Sequence, residues 1–144
     1  MKNVHILLVE DNEGDILLTT EALEEVKLAN TVSIARDGEI AIKFLNKEAP
    51  YQNEEEPDLI LLDINLPKVN GQEVLKYIKS SDHLKHIPVI VLTTSSSYED
   101  VTRSYRSYAN CYIVKPVEID AFIKAIGQIE NFWISIVKLP NKNQ

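Results

Sequence analysis

The chain predicts an α/β fold, a doubly wound five-stranded parallel sheet in the order 2-1-3-4-5. Three observations carry this expectation. Short runs rich in leucine and β-branched residues alternate with longer segments of helical period. Helical segments between successive strands act as crossovers, which pair the strands in parallel and cover both faces of the sheet. Three of the apolar runs also end on charge: ILLVED on Glu10 and Asp11, LILLD on Asp63, and CYIVKP on Lys115 and Pro116. In a parallel sheet those carboxyl ends lie side by side. Right-handed crossovers and the usual strand order put strands 1 and 3 together, and the crevice beyond their ends is where such folds bind ligands.

The elements follow in order. Residues 4–9 are too short a run for a buried helix and read as strand 1. Residues 14–28 form a helix with Ile16, Leu17, Ala22, Leu23 and Val26 on its apolar stripe. Residues 32–35 are strand 2, and Asp37 caps the next helix, which carries Ile40, Ala41, Phe44 and Leu45. Residues 46–57 hold two prolines and three successive glutamates, so they read as a long, mobile surface loop. Strand 3 is 59–62. A turn with Pro67, Asn70 and Gly71 leads to a helix over 72–80. Strand 4 is 88–92, with proline at its first position, where a missing N–H matters least. A helix is expected over 98–108, strand 5 over 112–114, and a final helix over 118–137. Residues 1–130 are read as one domain. Residues 131–144 are an apolar extension of the final helix followed by a tail that frays.

Composition narrows the function. A chain of 144 residues with 44% hydrophobic residues suits one packed domain. The net charge of -7 argues against a nucleic-acid partner, which needs a basic face. No apolar run is long enough to cross a bilayer, and the N-terminus is too quickly acidic for a secretory signal. The lone Cys111 has no internal partner, so a cytoplasmic location is expected, with Cys111 a small apolar residue at a strand start. His5 reads as a strand residue, and His83 and His86 as exposed loop residues without acidic or thiol company at ligand spacing.

The charges define the chemistry. Carboxylates gathered within a few ångströms repel unless a cation joins them. Oxygen donors suit Mg²⁺, held by Glu10, Asp11 and Asp63 with the backbone carbonyl of Asn65. Asp63 keeps an oxygen for attack on a phosphoryl group, as in aspartyl-phosphate enzymes. Lys115 and the hydroxyl of Thr93, just after strand 4, can meet the negative charge on the incoming oxygens.

These motifs, VEDN, LLDINLP, Gly71, VLTTS and IVKP, resemble in order and spacing the receiver domain of two-component response regulators, over roughly residues 4–128. The resemblance implies a flavodoxin-like fold and a signalling protein rather than an enzyme, acting catalytically only on its own phosphorylation state. Asp63 would accept the phosphoryl group from a sensor histidine kinase or phosphotransfer protein, with Mg²⁺ bound. Thr93 and Tyr112 would act as the switch, and the Lys115–Pro116 bond would be cis, aiming Lys115. Output would pass through protein contacts. An alternative is a shuttle within a phosphorelay.

The chain end adds a second signal. Phe122, Ile123, Ile126 and Ile129 make one apolar stripe, but Phe132, Trp133, Ile134, Ile136, Val137 and Leu139 exceed it. Phe132, Trp133 and Ile136 are expected to close a homodimer, together with the helix over 98–108, strand 5 and the final helix. The long loop before strand 3, the NCYI start of strand 5 and the FW-containing end resemble the small regulators of phytochrome-type kinases. Two rivals fit less well. A haloacid-dehalogenase-type phosphatase needs a second acid where Asn65 stands. A flavodoxin-type nucleotide binder needs a hydroxyl- and glycine-rich loop where Glu10 and Asp11 stand.

Overall fold

Every described strand joins one sheet. The structure, a computed structural model, describes residues 3–26, 30–94, 109 and 111–127. Its elements are β1 (Val4–Val9), α1 (Glu13–Glu25), β2 (Asn30–Ala35), α2 (Gly38–Leu45), β3 (Leu59–Asp63), α3 (Gly71–Ser80), β4 (Val89–Thr93), β5 (Cys111–Val114) and α4 (Ile119–Gly127). The strands run β2-β1-β3-β4-β5, and each neighbouring pair is parallel. This is the doubly wound order expected from the alternation of segments. The helix expected over 98–108 and the extension with Phe132, Trp133 and Ile136 lie outside the described residues.

Alternation along the strands divides the core into two layers. Ile6, Leu8, Leu59, Leu61, Ile90, Leu92, Cys111 and Ile113 face one side, where α1 and α4 cover them with Ile16, Leu23, Phe122 and Ile126. Leu7, Val9, Ile60, Leu62, Val89 and Val91 face the other, beneath Ala41, Phe44 and Leu45 of α2 and Val74, Leu75 and Ile78 of α3. Burial on both faces explains why β1, β3 and β4 read as nearly continuous apolar runs. Each fully buried leucine contributes about 1.5–3 kcal/mol of transfer free energy.

The helix starts are set by local hydrogen bonds. Asn12 accepts from the amide of Asp15 at 2.9 Å, Asp37 from that of Ile40 at 2.8 Å, and Asn70 forms a reciprocal capping box with Glu73. α1 ends at Glu25, with Val26 already extended, so it is shorter than the apolar periodicity suggested. Leu17 and Ile123, expected on core stripes, are exposed, because the neighbouring Ile16 and Phe122 take the inward positions. β4 extends one residue further than expected and includes Thr93, while β5 begins one residue earlier, at Cys111.

The segment before β3 is better anchored than its composition suggested. The ring of Tyr51 packs at 5.5 Å from that of Phe44, and the amide of His5 donates to the Asp58 carboxylate at 2.8 Å. His86 meets Glu56 at 3.0 Å, tying the α3–β4 connection to the same segment. His5 is a buried strand residue with Nε2 at 2.8 Å from the Ser33 hydroxyl. Cys111 is buried at the start of β5, and burial pushes its thiol up to about 11, so it is a packing residue.

Two glycines let the β3–α3 turn pack closely. A Cβ on Gly71 would fall onto the carbonyl of Asp63 and the backbone of Ile64, and one on Gly38 would strike the backbone of Val69. Gly71→Ala is therefore expected to cost about 1–3 kcal/mol through overpacking. Gly127→Ala, which meets nothing within 4 Å, should leave stability nearly unchanged. Urea unfolding midpoints of the two variants check this; equal midpoints would show that the turn relaxes freely.

Candidate functional site

The carboxyl edge of the sheet brings the predicted residues together. Val9 is level with Leu62, so Glu10 and Asp63 stand level at the ends of adjacent strands. Thr93 ends β4 and Lys115 directly follows β5, which places them on the next two strands along the same edge. Glu10, Asp63 and Thr93 are all buried, whereas Asp11, one residue on, is exposed. Carboxylate oxygens of Glu10, Asp11 and Asp63 lie within 4.8 Å of one another. Among the described residues this is the one group of three or more such side chains spaced to hold a metal ion.

The ammonium of Lys115 closes the crevice from β5. It donates to Glu10 Oε1 at 3.0 Å and to Asp15 Oδ2 at 2.9 Å, and it stands 3.5 Å from Asp63 Oδ2. The Lys115 amide also donates to the Thr93 carbonyl at 2.7 Å, and the Lys115–Pro116 peptide bond is cis, as the family resemblance implied. The other oxygens of the acids are held by the backbone. The Asn12 amide donates to Glu10 Oε2 at 3.2 Å, and the Asn65 amide to Asp63 Oδ1 at 3.1 Å. Thr93 Oγ1 donates to the Thr94 carbonyl at 3.2 Å. Tyr112 is level with Val91, so it shares a sheet face with Thr93, and the residue is 44% exposed rather than packed inward.

Electrostatics follows from this crowding. Burial, reinforced by the neighbouring Asp63 and opposed by Lys115, pushes the Glu10 carboxyl up to about 7. Burial alone would lower the Lys115 ammonium, but its hydrogen bonds to Asp15 and Glu10 and the attraction of Asp63 outweigh that and hold it above the ordinary lysine value. Buried oxygen donors crowded together, one of them a carboxyl raised by its surroundings, suit a hard divalent cation.

Sequence reasoning missed Asp15. It stood inside the first turn of a helix, where an acid is ordinarily a dipole partner. The overlooked signal was the cap: Asn12 starts α1 just past Glu10 and Asp11, so the third helical residue must lie beside the crevice.

The edge-of-sheet crevice, with its acids, hydroxyl and lysine on four adjacent strands, defines a receiver domain. The chain belongs to the response regulator receiver domain family, whose model matches residues 6–127. It is 45% identical over 135 residues to Response regulator Rcp1 of Synechocystis sp., covering 94% of this chain and 92% of that protein. The Mn(2+)-bound form of Rcp1 superposes with a TM-score of 0.76 at 46% identity, over 90% of this chain and 94% of that one. The bacteriophytochrome response regulator AtBRR superposes with a TM-score of 0.84 at 48% identity, covering 92% of this chain and 96% of that one. The phosphorylated cyanobacterial phytochrome response regulator RcpA gives 0.77 at 46% identity, over 93% and 96%. The chain is thus a two-component response regulator receiver related to the phytochrome group. No described helix is long and apolar enough to cross a membrane.

The raised Glu10 carboxyl has a consequence for stability. Its folded form keeps the proton up to about pH 7, while the unfolded chain releases it near 4.5. Between those values the unfolded state binds fewer protons, so this group's contribution is full below 4.5 and is lost as pH rises through about 7. In EDTA, Glu10→Gln is expected to flatten the fall in melting temperature between pH 4.5 and 8. An unaltered slope would show that Glu10 ionises without cost.

Proposed function

We propose that this protein is a response regulator that takes a phosphoryl group onto Asp63 from a histidine kinase and signals by altered protein contacts. The observation that carries the reading is the position of Asp63. It is a buried carboxylate level with Glu10, with one oxygen held by the Asn65 amide and the other facing the Lys115 ammonium across 3.5 Å. An oxygen of Asp63 attacks the phosphorus of phosphohistidine, the P–N bond breaks, and its electron pair returns to the imidazole, which takes up a proton. The product is an acyl phosphate on Asp63.

Glu10, Asp11 and Asp63, with the Asn65 carbonyl, would hold Mg²⁺, which would neutralise charge on the acids and the phosphoryl oxygens. The donor set fits, being all oxygen, with the Glu10 carboxyl raised by burial and by Asp63 in the absence of a cation. The chain's own groups supply the rest. Lys115 faces the place where phosphoryl charge arrives, and its burial strengthens that interaction. Thr93 spends its hydroxyl on the next carbonyl, a bond easily exchanged for one to a phosphoryl oxygen. Tyr112 then turns inward on the face it shares with Thr93. A two-state surface of this kind needs a bias of only a few kcal/mol.

Kinship with phytochrome response regulators supports a phytochrome-type kinase as the phosphoryl donor. The exposed Tyr112, Val114 and Ile123 on β5 and α4 belong to the surface through which the chain is proposed to dimerise; Phe132, Trp133 and Ile136, outside the described residues, are proposed for the same contact on their apolar character alone. Residues 1–130 would be the receiver and 131–144 the dimerising extension.

Incubation with Mg²⁺ and acetyl phosphate should add the mass of one phosphoryl group to the wild type and none to Asp63→Asn, read by intact-mass spectrometry. A wild type that never gains this mass from any donor would end the reading. Truncation after Glu130 should lower the sedimenting mass to that of a monomer; an unchanged mass would place the dimer contact elsewhere.

A further inference from the structure

We infer that Asp15 is a positioning residue for phosphoryl transfer, a dedicated counter-charge that holds the Lys115 ammonium at the phosphoacceptor; this rests on the reading of Asp63 given above. An ammonium has three donors. In this structure two of them go to Asp15 at 2.9 Å and Glu10 at 3.0 Å. Asp63 Oδ2, at 3.5 Å, is near enough for attraction and too far for a good hydrogen bond. The third donor is therefore left for an oxygen carried on Asp63.

The two anchors differ in what else they do. Glu10 belongs to the cluster of acids spaced to hold a metal ion. A carboxylate that neutralises a cation has less charge left for a lysine. Asp15 stands outside that cluster, and its charge stays available to Lys115 whatever the cluster holds. Its place is also built. The Asn12 side chain caps its amide at 2.9 Å, and its carboxylate is only 31% exposed. The Lys115 side chain is 11% exposed, so the pair is screened less than a surface ion pair. Without Asp15, the long flexible Lys115 side chain loses one of its two hydrogen-bonded anchors and gains freedom to swing away from Asp63.

Two opposite outcomes separate this role from a mere charge effect. If Asp15 only adds negative charge, removing it makes the crevice friendlier to anions. If it holds Lys115 in place, removing it weakens anion capture.

The probe is beryllofluoride, a phosphoryl mimic, titrated at saturating Mg²⁺. Asp15→Asn, which keeps shape and cap, is expected to weaken beryllofluoride binding about three- to tenfold, with Asp15→Glu restoring part of the loss. In a Lys115→Met background, Asp15→Asn should have no further effect, which a purely structural role would not produce. In EDTA, urea midpoints of the two single variants and the double variant should be non-additive, showing the pair without any metal. Unchanged or tighter binding in Asp15→Asn, or an equal loss with and without Lys115, would overturn the role of Asp15 while leaving Asp63 as acceptor. A wild type that does not bind beryllofluoride would overturn both.

Discussion

Everything at the active edge depends on one electrostatic constraint: among the described residues, several carboxylates share a buried corner with a single ammonium. Glu10 and Asp63 are nearly fully enclosed, and Asp11 and Asp15 flank them. Lys115 reaches across from the last strand of the sheet to meet them. Among the described residues the corner is over-acidic, since one cation cannot neutralise so many acids. The consequence is a carboxyl at Glu10 that resists ionisation and a site that favours added positive charge.

The fold makes this crowding possible. Only a parallel sheet brings the carboxyl ends of β1, β3, β4 and β5 to one side, and only the order β2-β1-β3-β4-β5 makes them neighbours. The apolar packing on both faces holds the strands in register, so the acids cannot drift apart to relieve their repulsion. Gly71 and Gly38 belong to the same design. They let the turn after Asp63 lie against α3 and α2, bringing the backbone that carries the Asn65 amide close to the Asp63 carboxylate. Packing free energy thus sustains an electrostatic arrangement that would be unfavourable by itself.

The two residues proposed as the switch stand on neighbouring strands beside the crevice. Thr93 is buried with its hydroxyl on a neighbouring carbonyl, and Tyr112 lies exposed on the same sheet face. A change at the acids has a short path to an apolar surface, through two side chains on adjacent strands.

Read from its residues, the chain already specified the sheet, its order and nearly all of the crevice. Nearly continuous apolar runs report burial on two faces, and charges at their ends report a shared edge, because both patterns are one-dimensional. Glu10, Asp63, Thr93 and Lys115 were legible for that reason. Three-dimensional packing decided the rest. Leu17 and Ile123 turned outward because a helix has only one buried stripe and their neighbours filled it. Tyr51 anchored a segment whose charges suggested a loose loop, since a ring contact with Phe44 leaves no mark in composition. Asp15 joined Lys115 across 100 residues of sequence, a meeting set by the direction in which Asn12 starts α1 and by the reach of a lysine from β5. Periodicity is local and survives in sequence, whereas the distance between two side chains on different elements exists only once the sheet has assembled.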